Sequence, residues 1–289
     1  MKITDTDLIL NSDGSVYHLN LLPVDIADTV ITVGDPDRVG QVSKYFDRIE
    51  LKKGKREFIT HTGYIGKKRL SVVSTGIGTD NIDVVLTELD ALLNIDLPSR
   101  TVKPQLRALD IIRIGTSGTL QRDIPLDSIL VSTFAIGLDS LLQYYKKTEE
   151  VSELELREAF QRHLALEPIQ AYVAACSQNL LRQFAPAIST GITLTAPGFY
   201  APQGRHTRAT PSYVDLLAKF CSFRHQGKAI TNLEMETAGI YGLAKSLGHR
   251  AISVNAILAS RLQAVFSKEA QRTIDRAIRM VLERLTADI

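Results

Sequence analysis

The chain has 289 residues, 44% of them hydrophobic and 23% charged, with a formal charge of +2. That is an ordinary composition for a soluble globular protein with a sizeable core. The near-neutral balance gives no electrostatic case for nucleic acid or a membrane surface as partner.

From the N-terminus, charges interrupt "MKITDTDLIL", so it does not read as a signal peptide. No run approaches the ~20 apolar residues needed to span a bilayer. Val- and Ile-rich runs predict interior strands at 29–34, 69–76, 109–118, 127–136, 188–194 and 250–260. Between them, "NIDVVLTELDALLN" sets Ile82, Val85, Leu86, Leu89 and Leu93 on one helical face. Helices are also predicted for "IQAYVAACSQNLLRQF" (169–184), for "EMETAGIYGLAKSLG" (234–248, stopped by Gly248) and for the amphipathic segment 267–285. Strands alternating with helices predict an α/β protein, a sheet covered on both faces. With no repeat or linker, the expectation is a single domain over 1–289, with 94–110 a basic surface insert. Cys176 and Cys221 are too few for a disulfide framework and suit a reducing, cytoplasmic setting.

Three predicted strands end in glycine turns, "VGDPDRV" (33–39), "STGIGTDN" (74–81) and "RIGTSGT" (113–119). Ligands of open α/β sheets gather beyond strand carboxyl ends, so these turns suggest one shared pocket. Gly76–Asn81 lacks the third glycine of a dinucleotide fingerprint, which leaves an oxidoreductase only weakly supported. Gly115–Thr119 has a threonine where a nucleophile elbow closes on glycine. There is no P-loop and no zinc motif, so no metal is expected.

Arginines stand out instead. Arg113 interrupts the apolar strand "IIRIG", where a guanidinium is costly to bury unless an anion or carboxylate meets it. Arg38 and Arg56 read equally as surface charges or as anion ligands. Glu234 and Glu236 in "NLEMETA" read either as acidic residues of a first helical turn or as acceptors for the diol of a ribose, with Met235 against the sugar. The segment "TAPGFYAPQGRH" (195–206) carries more aromatic and polar chemistry than a turn requires.

"GDPDRV", "STGIG", "RIGTSG" and "NLEMETA" occur in this order over His18 to about Arg261, and together they resemble the nucleoside phosphorylase-I family and, within it, the uridine phosphorylases. The resemblance implies a three-layer α/β/α fold with a central mixed, partly barrel-like β-sheet. It implies a phosphate site at Gly34, Arg38, Arg113 and Thr116, with Arg56 reaching in from a neighbouring subunit. It implies a ribose site at Thr116, Glu234, Met235 and Glu236, with His18 from the partner chain. The base would meet Ser117, Gly118 and Arg261, stack on Phe199, and be read along its edge by Gln203 and Arg205. The catalytic set would be Arg113, Gln203, Arg205 and Glu236. In an extended segment Gln203 and Arg205 point the same way, and a Gln amide beside an arginine matches the acceptor–donor–acceptor edge of uracil. Purine enzymes of the family protonate the base with an aspartate late in the chain, whereas "ILASRLQ" offers Arg261 and no Asp.

The implied reaction is reversible phosphorolysis of a pyrimidine nucleoside, with phosphate as co-substrate, no metal or organic cofactor, and at least a dimer. The inter-subunit cation site of bacterial relatives is not implied, because Thr79, Asp80 and Asn81 depart from the usual Gly, Pro and Ser. A purine phosphorylase, a hydrolytic nucleosidase and a non-catalytic nucleoside-binding protein are the alternatives.

Overall fold

The computed structural model describes residues 2–146, 148–184 and 188–287. The expected single domain includes Met1, Asp288 and Ile289, which lie outside the described residues.

The first half holds β1 (Thr29–Val33), α1 (Pro36–Ser43), β2 (Arg48–Lys55), β3 (Phe58–Ile65), β4 (Lys68–Ser74), α2 (Thr79–Asn94), the short β5 (Ile95–Asp96) and β6 (Thr101–Val102), β7 (Asp110–Thr119) and β8 (Ile129–Gly137). There follow α3 (Val151–Leu164), β9 (Tyr172–Ala175), α4 (Gln178–Phe184), β10 (Ser189–Thr195), α5 (Leu216–Ser222), β11 (Arg224–His225), β12 (Lys228–Glu234), α6 (Thr237–Leu247), β13 (Arg250–Ser260), β14 (Val265–Phe266) and α7 (Ala270–Thr286).

The fold is mixed α/β. β12, β10, β8, β13 and β7 pair in that order, and β12 pairs with β7 to close a five-stranded ring. β1, β4, β3 and β2 extend the sheet outward from β7. β1 lies parallel to both β4 and β7, and β7 is parallel to β13 with Gly115 opposite Asn255. α2 packs on α6, which lies over β8, β9, β10 and β13, while α4 and α7 pack together and reach β13. The six predicted strands are all present, because their apolar runs are buried. β1 has no exposed residue, and in β13 only Arg250, Leu258 and Ala259 are even partly exposed.

Three expectations need adjustment. Tyr172–Ala175, predicted helical within 169–184, is a strand antiparallel to β8, and only Gln178–Phe184 is helix. A run apolar at every position fits either period. Pairing with residues 134–137 decides it, and the Tyr172 hydroxyl donates to Asp139 Oδ2 at 2.8 Å. The insert 94–110 is more than a surface loop. β5 and β6 form a hairpin, Leu97 is buried, and the Ile3 amide donates to the Arg100 carbonyl at 2.9 Å.

The helix predicted from Glu234 starts three residues later, at Thr237, because Glu234 ends β12.

Candidate active site

The carboxyl ends of β1, β4, β7 and β12 and the far end of β13 open into one cavity of about 790 Å³. Its floor holds Gly34, Arg38, Arg113, Thr116 and the Glu234–Met235–Glu236 corner; its other end holds Ser117, Gly118, Phe199, Gln203 and Arg205.

Arg113 is buried in β7, as its place in an apolar strand required, and every partner is built in. Nη2 donates to Glu236 Oε2 at 2.6 Å and lies 3.0 Å from Glu234 Oε2, while Nη1 donates to Asn255 Oδ1 at 3.0 Å. Burial opposes its charge, but Glu234 and Glu236 outweigh this and hold the guanidinium above its ordinary pKa. The side chain folds back across its own strand: a Cβ on Gly115 would lie 1.7 Å from Arg113 Nη1.

Arg38 follows the first glycine turn on α1, whose N-terminus is capped by Asp35. It too is buried, and its Nε has no hydrogen-bond partner among the described residues. Burial lowers its pKa, with Asp35 opposing and Arg113 adding to the fall. A buried guanidinium with an unused donor beside a second cation is an environment that an anion would relieve.

Glu234 is locked by the Thr195 hydroxyl at 2.6 Å and by the amides of Glu236 and Thr237, both at 2.9 Å. Glu236 receives the Gly78 amide at 2.8 Å, from the residue capping α2. Burial raises the Glu236 carboxyl, Arg113 pulls it down, and Glu234 pushes it up. Two buried carboxylates therefore balance two buried guanidiniums; Glu234 is occupied by donors of its own chain, whereas Glu236, meeting the Gly78 amide and Arg113, keeps lone pairs for a sugar hydroxyl.

At the other end, residues 201–203 form a 3₁₀ turn and Gly204 takes φ +66°, so the segment is not the extended one expected. Gln203 and Arg205 still converge. Arg205 Nη1 donates to Gln203 Oε1 and to the Phe199 carbonyl, and its guanidinium lies 3.7 Å from the Phe199 ring centroid. One face of Phe199 is thus covered by Arg205. Arg261 donates to the Gln203 carbonyl at 3.0 Å and packs by Gly118, behind the cavity wall. Burial and then Arg261 press the Arg205 pKa down to about 10, so it stays cationic at neutral pH.

His18 and Arg56 are not on this cavity. His18 Nδ1 lies 2.7 Å from Glu88 Oε1, and Arg56 is exposed with its guanidinium 6.0 Å from the Tyr17 ring. No group of three or more His, Cys, Asp or Glu placed to hold a metal ion occurs among the described residues. No helix among them is long and apolar enough to cross a membrane. The sequence reading missed Gly115, Asn255, Thr195, Glu57 and Ile77. Asn255 alone carried a signal, an amide inside the apolar run "AISVNAILAS" that a buried strand must satisfy.

The chain is similar to known proteins over nearly its whole length. The family model described as "Phosphorylase superfamily" matches residues 28–286. A uridine phosphorylase of Thermococcus kodakarensis is 28% identical over 286 residues, covering 98% of this chain and 92% of that protein. One from Haemophilus influenzae is 27% identical, covering 92% and 96%. Among solved structures, a Trypanosoma brucei nucleoside phosphorylase described as showing uridine phosphorylase activity superposes with a TM-score of 0.89 at 28% identity, covering 97% of this chain and all of that one.

Proposed function

The chain belongs to the phosphorylase superfamily, and we propose that within it this enzyme catalyses reversible phosphorolysis of a pyrimidine nucleoside, uridine plus phosphate giving uracil and ribose 1-phosphate. The observation that carries the reading is the pairing of two buried, neighbouring arginines with two buried carboxylates on one cavity floor, opposite a linked Gln203–Arg205 pair.

Arg38, Arg113, Gly34 and Thr116 take the phosphate. Met235 and Glu236, with Glu234 bracing them, take the ribose above it, so that a phosphate oxygen sits beneath C1′. As that oxygen bonds to C1′, the glycosidic electron pair leaves with the base, and negative charge grows on the pyrimidine oxygens. Arg205 and the Gln203 amide stabilise it, a well-placed donor being worth ~3 kcal/mol. The uracil anion then takes a proton from solvent. Because Arg205 holds Gln203 Oε1, the Gln203 Nε2 is directed to a carbonyl oxygen of the base. Cytosine offers an amino group where O4 should accept, and is disfavoured.

The chemistry falls to charges within the chain and asks for no metal or organic cofactor. The reading includes a cytoplasmic homo-oligomer of single-domain chains, at least a dimer, because His18 and Arg56 lie off their own chain's cavity and suit a second copy's site. A nucleoside panel with phosphate present tests the reading. Uridine should be cleaved, cytidine and inosine poorly, and Gln203→Ala or Arg205→Ala should each lower kcat/KM for uridine ~10²-fold. Preference for inosine would reassign the enzyme to purines, and base binding without cleavage would make it a binding protein.

A further inference from the structure

Asn255 lies behind the cavity, wholly buried in β13 and off the cavity wall. We infer that Asn255 is a positioning residue for Arg113, fixing its guanidinium from behind with a neutral acceptor so that its charge stays available to phosphate. The inference rests on the phosphate role proposed for Arg113.

The geometry leaves little freedom. A guanidinium only donates, so the amide atom 3.0 Å from Arg113 Nη1 is the carbonyl oxygen. The Asn255 Nδ2 then faces Ser132 Oγ at 3.0 Å and Ser253 Oγ at 3.2 Å, both able to accept. Those hydroxyls are themselves held. Ser253 Oγ lies 3.0 Å from Thr237 Oγ1, at the start of α6. Ser132 Oγ lies 2.5 Å from Thr193 Oγ1, which donates to Asn232 Oδ1 at 3.0 Å. The barrel interior thus pins the amide in one orientation. Arg113 can reach it only because Asn255 stands opposite Gly115, whose missing side chain leaves the crossing open.

The residue type follows from charge. Glu234 and Glu236 already supply two negative charges against Arg38 and Arg113. A third carboxylate touching Nη1 would turn the cluster net negative and oppose a dianion. An apolar side chain would leave a buried donor unpaired and the guanidinium free to turn. An amide accepts without adding charge.

The test uses the full-length protein, Asn255→Leu (acceptor lost) and Asn255→Asp (shape kept, charge added). Each is titrated calorimetrically with inorganic phosphate and separately with uracil, and assayed for phosphate KM and kcat. We expect phosphate affinity to fall at least fivefold in both variants, uracil affinity to change less than twofold, and phosphate KM to rise by more than kcat falls. A folded variant with phosphate affinity within fivefold of the original overturns the inference. So does a parallel loss of uracil binding, which marks Asn255 as merely structural. If the leucine variant does not fold, the aspartate variant decides alone, since it keeps the side chain's size and gains an ion pair. Failure of the unmodified protein to bind phosphate would reject the phosphorolysis reading beneath this one; normal binding with unaffected variants rejects the inference alone.

Discussion

Arg113 owes its position to a missing atom. Its guanidinium crosses Gly115 at a distance no Cβ tolerates, and there meets Asn255 and the two glutamates. Gly115→Ala should therefore evict the guanidinium and break two hydrogen bonds involving charge, each worth about 1.5–3 kcal/mol. At ~1.4 kcal/mol per tenfold, kcat/KM for phosphate should fall ~10²-fold or more. Steady-state kinetics at saturating nucleoside checks this, and a value within threefold of the original would show that Arg113 can work from another pose. Arg205 is held differently, lying on Phe199 and donating to Gln203 in a partly open mouth. A base that stacks on the covered face of Phe199 has to displace it. The second carboxylate–arginine contact at the floor has no such freedom, since every group in it is buried.

Two helix N-termini and a strand end make the ribose corner. α2 is capped by Gly78, whose amide holds Glu236, and α6 begins just after Glu236. They approach closely at Gly239, where a Cβ would lie 2.8 Å from Thr79 Cγ2. Thr79 is buried and β-branched, with little room to turn. Gly239→Ala should cost ~1–3 kcal/mol of stability by overpacking and loosen the Gly78–Glu236 bond. Thermal denaturation together with ribose-dependent KM would register both losses, and an unchanged melting temperature would mean the helices yield freely. In the sequence, β1, β7 and β13 declared themselves through apolar runs, and Arg113 through its intrusion into one. The β2–β3 hairpin did not, because β2 is an edge strand with lysines, Lys53 and Lys55, even at its partly buried positions. β9 was misread because Tyr172–Ala175 is apolar without a period. Asn255 stood out as an amide inside an apolar run, but that it faces Gly115 follows only from the β7–β13 register, which no local pattern specifies.

At the scale of the whole molecule, closing five strands into a ring gathers residues from Gly34 to Phe266 around one space. Binding groups more than 200 positions apart in the chain then act on one substrate, and the barrel interior carries their hydrogen bonds. His18 and Arg56 lie off this space and are left to meet another copy's cavity in the proposed assembly. In the proposed reaction the two buried arginines deliver phosphate to C1′ of a nucleoside. Phosphorus NMR of the enzyme with uridine and inorganic phosphate tests it most directly. A ribose 1-phosphate signal should grow in step with uracil released, with no uracil when phosphate is left out. Uracil appearing with free ribose in phosphate-free buffer would contradict it.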